Sequence, residues 1–170
     1  MKSLEAFLIA LRLMESGGDY QIVNSLNFLG AYQFGEAALT DLGFVRYDGD
    51  AFNNDYSGGW TGKFGVHSLN NFLGSRRAQD LAMQEWMTLM WYYIELQDLH
   101  IYAWTQVGDV TLTPSGMLAA THLLGADSLA EYIHSDGKAN LRDPYGTPIQ
   151  SYIERLSGYY IPFAPVAPGS

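Results

Sequence analysis

The sequence predicts a mainly α-helical fold with a central buried helix and a long irregular loop. Three observations support this. Apolar residues recur with the helical period in several segments. Residues 75–96 are apolar on most sides, as expected of a buried helix. Residues 44–74 are rich in Gly, Asp and Asn and follow neither the helical nor the strand period. With 170 residues, of which 48% are hydrophobic, we expect one domain over residues 1–160 and a tail over 161–170.

The first helix is predicted over residues 3–15. Its apolar positions from Leu4 to Leu11 have helical spacing, Ser3 is placed to cap its start, and Gly17 follows its end. The same stretch superficially resembles a signal peptide. Charged residues interrupt it and no small-residue cleavage site follows, so we expect a helix of the mature protein.

Later helices follow from the same periodicity and from capping residues. A second helix is predicted over 32–42, ending at Gly43. Thr113 is a suitable N-cap, and the residue after it is proline, which favours the first helical position. The proline-rich tail is predicted to be an extended linker or disordered end. The helices predicted after the irregular loop cover 75–96, about 98–106, 114–124, 126–135 and 148–156.

The composition excludes several classes of partner. The net charge is −9 with only nine Lys and Arg residues, so the clustered positive charge that nucleic-acid binding needs is missing. There is no cysteine, which excludes disulfides and thiolate zinc sites. The most apolar run, residues 86–94, is far shorter than the roughly 20 residues of a membrane span.

A metal site is not expected from the sequence. The acidic stretch 47–55 suggests calcium, but Phe52 occupies a position where an EF-hand would place a ligand. The four histidines show no metal-like pairing. We therefore predict a solvated acidic loop, no metal and no cofactor.

Glu15 is the residue whose position most suggests chemistry. It lies in the last turn of the first helix, where the negative end of the helix dipole raises the pKa of a carboxyl group. Desolvation by apolar walls would raise the pKa further and keep a proton available near neutral pH, as a general acid requires. The alternative is an ordinary solvated residue at a helix end.

The stretch "ESGGDYQIVNSLNFLGAYQFGEAAL", residues 15–39, resembles the catalytic segment of the lysozyme-like superfamily. Lytic transglycosylases, goose-type lysozymes and resuscitation-promoting factors place a catalytic Glu at a helix end, followed by Ser, a glycine-rich loop with Asn, and a Gly-x-x-Gln turn. Residues 117–133 are more loosely similar to a later family segment, with His122 where Asn is common. Residues 143–160 look like the closing segment of phage-associated and secretion-system relatives. The residues that match the catalytic segment are Glu15, Ser16, Gly17, Gly18, Asn24, Gly30 and Gln33.

The resemblance implies a lysozyme-like catalytic domain that cleaves peptidoglycan. Glu15 would protonate the glycosidic oxygen of the β-1,4 bond between N-acetylmuramic acid and N-acetylglucosamine. Ser16 would orient an intermediate or a substrate carbonyl, and Gln33 would hydrogen-bond the substrate or Glu15. The remaining residues expected to bind substrate are Tyr20, Asn24, Tyr32, His122, Tyr145 and Tyr152.

Two mechanisms remain open. A two-carboxylate hydrolase needs a second carboxylate at a defined separation from Glu15. Many family members instead use one Glu together with a group of the substrate, releasing a 1,6-anhydro sugar, and this is the mechanism we favour. The candidates for a second carboxylate are Asp19, Glu36, Asp41 and Asp109.

Alternative functions and the site of action follow from the same resemblance. A related fold could hydrolyse chitin or chitosan, or it could bind glycan or protein without cleavage. A muramidase would act in the periplasm or cell wall. Because no signal peptide is recognised, we expect delivery by a phage or a secretion machine, or a place within a larger chain. The acidic surface could bind an inhibitory, immunity-type protein.

Overall fold

The computed structural model describes residues 1–169 and confirms a mainly α-helical protein. Within these residues there are seven α-helices, two short 3-10 helices and one two-stranded antiparallel sheet. The α-helices are α1 (Leu4–Ser16), α2 (Glu36–Asp41), α3 (Leu69–Gly74), α4 (Arg76–Leu96), α5 (Pro114–Leu124), α6 (Ala126–His134) and α7 (Ile149–Arg155). The strands are β1 (Gln106–Val107) and β2 (Val110–Thr111), and the 3-10 helices cover Lys63–Gly65 and Leu99–Tyr102.

The chain divides into two compact units, which we describe separately. Unit 1 contains Met1–Ala10 and Met87–Ser170, and unit 2 contains Leu11–Trp86. Ser170 itself lies outside the described residues. Within residues 1–169, no helix combines the length and the apolar character that crossing a membrane requires.

Aromatic rings fill the core of unit 2. The ring of Phe72, in α3, lies 6.0 Å from that of Phe34 and 5.7 Å from that of Phe44, both in edge-to-face geometry. Helix α3 falls inside the region predicted to be irregular. Ser68 caps its start, with Oγ accepting a hydrogen bond from the Asn71 N–H at 3.0 Å. This cap supports a helix too short to show a clear period.

The second helix begins later than predicted, at Glu36 rather than at residue 32. The backbones of Leu29 and Phe34 exchange two hydrogen bonds of 2.9 Å, and Gln33 between them has φ +52°. These two hydrogen bonds occupy backbone groups that an α-helix beginning at residue 32 would need, so the helix begins only after the turn. The predicted end is confirmed, because the chain turns at Gly43, where φ is +76°.

Helix α5 is the most deeply buried element of unit 1, with every residue from Pro114 to Thr121 buried. Its predicted cap is confirmed, since Thr113 Oγ1 accepts a hydrogen bond from the Gly116 N–H at 3.2 Å. Gly116 also permits close packing on α7, because a Cβ there would lie 2.7 Å from the Ile153 carbonyl oxygen. The helices predicted over 126–135 and 148–156 are confirmed as α6 and α7.

The helix predicted over 98–106 is wrong. Asp98 and Trp104 have φ of +55° and +66°, which an α-helix does not allow. A 3-10 helix lies between them and the β1–β2 hairpin follows. Asp136 supports this hairpin, since its Oδ1 accepts a hydrogen bond from the Gly108 N–H at 2.9 Å.

The described part of the proline-rich tail packs on unit 1. Ile161 is buried, and the Tyr160 N–H donates a hydrogen bond to the Lys2 carbonyl at 2.7 Å. Trp104 Nε1 donates to the Pro165 carbonyl at 2.8 Å. These contacts connect residues 160–165 with both the start and the middle of the chain.

Candidate functional site

Glu15 lies in the last turn of α1, at the helix end that the sequence predicts, and its side chain is half-buried. The helix closes through two backbone hydrogen bonds of 3.1 Å, from Gly17 N–H to the Leu13 carbonyl and from Gly18 N–H to the Arg12 carbonyl. Both glycines have positive φ, a conformation that ends helices and that other residues adopt at a cost. The carboxylate therefore stands beside a fixed turn.

Ser16 connects the two halves of the 15–39 segment. Its Oγ donates hydrogen bonds to the Ala31 carbonyl at 2.8 Å and to the Arg12 carbonyl at 3.2 Å, and it accepts one from the Gly18 N–H at 3.1 Å. A hydroxyl has one proton, so the two acceptors share it. The side chain thus joins the end of α1 to the Gly-x-x-Gln turn.

Gln79, near the start of α4, holds the same turn from inside unit 2. Its Oε1 accepts a hydrogen bond from the Ala31 N–H at 2.9 Å, and its Nε2 donates to the carbonyls of Tyr20 at 2.8 Å and Phe72 at 3.0 Å. Gly30 has to be glycine here, because a Cβ would lie 2.1 Å from Gln79 Oε1. The side chain of Gln33 closes the turn, with Nε2 donating to the Gly30 carbonyl at 3.0 Å.

A charged network lies beside this turn. Tyr20 and Tyr32 each donate a hydrogen bond of 2.8 Å from their hydroxyl to Asp80 Oδ1. Arg12 Nη1 donates to the Tyr32 hydroxyl at 2.9 Å and lies 3.5 Å from Asp80 Oδ1. Residues 12 and 15 are neighbours on one face of a helix. Arg12 therefore links the helix that carries Glu15 to Tyr32 and Asp80.

The two tyrosines of the network remain protonated at neutral pH. Burial raises the pKa of Tyr32 well above its usual value, and the hydrogen bond to Asp80 raises it further, against the opposing effect of Arg12. Burial and the same acceptor raise the pKa of Tyr20. Both hydroxyls therefore keep their protons and donate hydrogen bonds to Asp80 at neutral pH.

An open pocket of about 380 Å³ lies at the glycine-rich loop of unit 2. Asp19 and Arg76 give it charge of both signs, and the Arg76 guanidinium lies 5.3 Å from the centre of the Tyr20 ring. Arg12 approaches the same ring at 5.6 Å. The pocket therefore combines charged groups of both signs with one aromatic ring. Its lining residues are Gly18, Asp19, Tyr20, Gln21, Leu73, Gly74 and Arg76.

The predicted substrate-binding residues of unit 2 differ in exposure and in their contacts. Asn24 Oδ1 accepts hydrogen bonds of 2.9 Å from the N–H groups of Leu26 and Phe28, which shapes a turn. Tyr32 is fully buried, so its ring is not available to stack on a substrate at the surface. Tyr20 is half-buried and lines the pocket.

The remaining predicted residues belong to unit 1. His122 is half-buried in the last turn of α5, Tyr152 is buried in α7, and Tyr145 is exposed in the loop before α7. Asp109 is exposed in the turn between β1 and β2. The structure thus gathers Glu15, Ser16, Tyr20, Tyr32 and Gln33 in unit 2, and it assigns these four residues to the other unit.

The candidate second carboxylates of unit 2 occupy different environments. Asp19 is exposed on the pocket wall, and its Oδ1 accepts a hydrogen bond from the Gln21 N–H at 2.8 Å. Asp41 is exposed at the end of α2. Glu36 is fully buried. Burial raises its pKa, as do the charges of Asp48 and Asp55, and a hydrogen bond from the Tyr56 N–H opposes this increase.

Sequence reasoning missed Arg12, Gln79 and Asp80. Asp80 meets its tyrosine partners across 48 and 60 residues of sequence, and Gln79 reaches Ala31 across 48. No local motif encodes such distant pairs. The sequence signal for Gln79 and Asp80 was their position as polar residues in the first two turns of a helix predicted to be buried.

Comparison of the chain with protein-family models, with curated proteins and with solved structures gives no match. The likeness to the lysozyme-like superfamily therefore depends on the residues of the 15–39 segment and its weaker continuations.

Proposed function

We propose that this protein is a peptidoglycan-cleaving muramidase of lysozyme-like fold, with Glu15 as its general acid and base. The substrate is the β-1,4 bond between N-acetylmuramic acid and N-acetylglucosamine. The proposal rests on the sequence resemblance and on how the 15–39 segment folds.

The observation that carries the proposal is the hydrogen bond from Ser16 Oγ to the Ala31 carbonyl at 2.8 Å. It joins the Glu-Ser-Gly-Gly part of the segment to its Gly-Ala-Tyr-Gln part, so the two sequence features behind the resemblance form one structural feature. A catalytic carboxylate has to be held in a defined geometry. The turn at Gly17 and the bonds of Gln79 supply that rigidity around Glu15.

The mechanism that we favour needs only one carboxyl group. Glu15 donates its proton to the glycosidic oxygen as the bond from that oxygen to the anomeric carbon breaks. The 6-hydroxyl of the same sugar then attacks the anomeric carbon, and the Glu15 carboxylate accepts its proton. The product is a 1,6-anhydro sugar and Glu15 is again protonated. In the hydrolytic alternative water is the nucleophile, and Asp19, on the pocket wall, is the second carboxylate we would test first.

A Glu15→Gln variant tests the proposal. Removing a general acid lowers the rate by about 10²- to 10⁴-fold, so we expect digestion of purified peptidoglycan to fall by at least about a hundredfold. Glu5→Gln is the matched control, since it makes the same change at an exposed position of the same helix. Full activity in the Glu15 variant, with an unchanged melting temperature, would reject the assignment.

Mass spectrometry of the released fragments distinguishes the mechanisms. Anhydro and reducing ends differ by the mass of one water, and we expect anhydro ends. Parallel digests of chitin and chitosan test the alternative substrates. If the protein binds these polymers and peptidoglycan without releasing fragments from any of them, it is a binding module instead.

The proposed substrate implies an activity in the periplasm or cell wall. An inhibitory partner protein with a basic surface would complement the net charge of −9.

A further inference from the structure

Three carboxylates from separate parts of unit 2 meet beside the start of α2. They are Glu36, Asp48 and Asp55, which we call the acidic triad. Each contributes an oxygen atom, and these three atoms lie within 4.8 Å of one another. Asp48 and Asp55 belong to the loop that the sequence predicts to be solvated and free of metal. Glu36 lies outside that loop, so no local spacing could reveal the group.

Glu36 is the unusual member of the triad. Its side chain is fully buried. Its Oε2 accepts a hydrogen bond from the Tyr56 N–H at 3.1 Å, while Oε1 is buried without a hydrogen-bond partner. Buried carboxylate oxygens are normally paired with a donor or a cation. Here the charged groups near Glu36 are Asp48 and Asp55, which repel its negative charge.

The backbone around the triad is held firmly. Asn54 is buried, and its Oδ1 accepts a hydrogen bond from the Glu36 N–H at 2.9 Å while its Nδ2 donates to the Leu26 carbonyl at 2.9 Å. The Tyr56 hydroxyl donates to the Asn27 carbonyl at 2.6 Å. Asp48 accepts hydrogen bonds from Ser57 Oγ and the Asp50 N–H, and Asp55 accepts one from the Ser57 N–H. The loop therefore holds both aspartates beside Glu36, whose Oε1 has no hydrogen-bond donor.

The donor atoms indicate the class of ligand. Carboxylate oxygens without nitrogen or sulfur favour hard cations. Calcium binds oxygens at about 2.3–2.6 Å in flexible geometry and accepts water and backbone carbonyls as further ligands, whereas magnesium requires shorter bonds and a near-ideal octahedron. The triad has two exposed carboxylates in a loop and one buried carboxylate. This arrangement fits the flexible geometry of calcium better than the near-ideal octahedron of magnesium.

We propose that Glu36, Asp48 and Asp55 bind a calcium ion that ties the acidic loop to the start of α2. The bound ion would also brace the segment around Leu26, because Asn54 links that segment to Glu36. The site does not depend on the proposed function, and its test uses no substrate.

Calcium titration of the full chain, after treatment with a chelator, tests the proposal. We expect one calcium ion per chain by isothermal titration calorimetry. The melting temperature should rise by about 5–10 °C at a calcium concentration about 100 times the dissociation constant. An equal or larger response to magnesium, or no response to calcium, would overturn the assignment.

Three variants distinguish a site from a generally acidic surface. Asp48→Asn and Asp55→Asn should each weaken calcium binding roughly tenfold or more. Asp50→Asn is the control, because Asp50 is exposed in the same loop but is not part of the triad. If Asp50→Asn weakens calcium binding as much as the other two variants, calcium affinity depends only on net charge, and the proposed site is wrong.

Glu36→Gln separates binding from folding. The amide keeps an oxygen for the Tyr56 N–H and removes the repelled charge, so without calcium this variant should melt at the parent temperature or above. It should also lose the calcium-induced rise. A variant that melts well below the parent in chelator, or that keeps the full calcium response, would contradict a role for Glu36 as a ligand.

Discussion

The side chain of Gln79 links three separate segments of unit 2. One buried amide satisfies three backbone groups, the Ala31 N–H and the carbonyls of Tyr20 and Phe72. These groups come from the loop after Glu15, the Gly-x-x-Gln turn and α3. The Phe72 carbonyl also accepts a hydrogen bond from the Ser75 N–H at 3.1 Å. The value of Gln79 therefore lies chiefly in pairing the Ala31 N–H and the Tyr20 carbonyl, since an unpaired group costs more than an ordinary hydrogen bond contributes.

Replacing Gln79 by Leu should lower the free energy of unfolding by about 2 kcal/mol or more, because it leaves the Ala31 N–H and the Tyr20 carbonyl unpaired and such groups cost about 1–3 kcal/mol each. Urea denaturation followed by circular dichroism measures this loss. Gln84→Leu, at an exposed position of the same helix, is the control and should change the value by no more than about 0.5 kcal/mol. Similar losses in both variants would show that the hydrogen bonds of Gln79 are not the cause.

Glu15 illustrates what the sequence can predict at the scale of single residues. Its place at a helix end follows from the apolar period and the glycines after it, and the structure confirms that place. The link from Ser16 to Ala31 and the meeting of Glu36 with Asp48 could not be predicted in this way. Both depend on how the loop folds back, and loops carry no periodic signal.

Among the helices and strands, predictability follows length and capping. The 21-residue α4 and the capped α5 were predicted to within a residue. Helix α3 has six residues, and β1 and β2 have two each, so none of them spans enough positions to establish a period. The late start of α2 has another cause, since the paired backbones of Leu29 and Phe34 outweigh local helix propensity.

The contact between α5 and α7 depends on a glycine. Gly116 allows the Ile153 carbonyl to approach α5 so closely that an added Cβ would lie 2.7 Å from its oxygen. Because the obstacle is backbone, a rotamer change cannot relieve it, and Gly116→Ala should destabilise the protein by about 1–3 kcal/mol. Chemical denaturation measures the loss.

Gly74→Ala is the control for this substitution. Gly74 ends α3, its φ is not positive, and a Cβ there would meet no atom within 4 Å. We expect little change or a slight stabilisation, because alanine restricts the unfolded chain more than glycine does. If both variants are equally destabilised, close packing of α5 on α7 does not explain the effect.

At the scale of the whole chain, unit 1 joins the two most distant parts of the sequence. Lys2 donates a backbone hydrogen bond to the Gly158 carbonyl at 3.2 Å and accepts one from the Tyr160 N–H at 2.7 Å. The rings of Phe7 and Tyr159 lie 5.6 Å apart in edge-to-face geometry. Contacts across so much sequence cost loop-closure entropy, so the side chains buried at this junction have to offset that cost.

Truncation measures how much this closing contact contributes. Deleting residues 159–170 removes the buried side chains of Tyr159 and Ile161 together with the pairing to Lys2. Burial of each large apolar side chain contributes about 1.5–3 kcal/mol, so we expect the melting temperature to fall by about 5 °C or more. Deleting only residues 168–170 keeps these groups and the Pro165 carbonyl that pairs with Trp104, and should leave the melting temperature within about 1 °C of the parent. If the protein that lacks residues 159–170 has the same melting temperature as the full-length protein, these residues add nothing to the stability of unit 1.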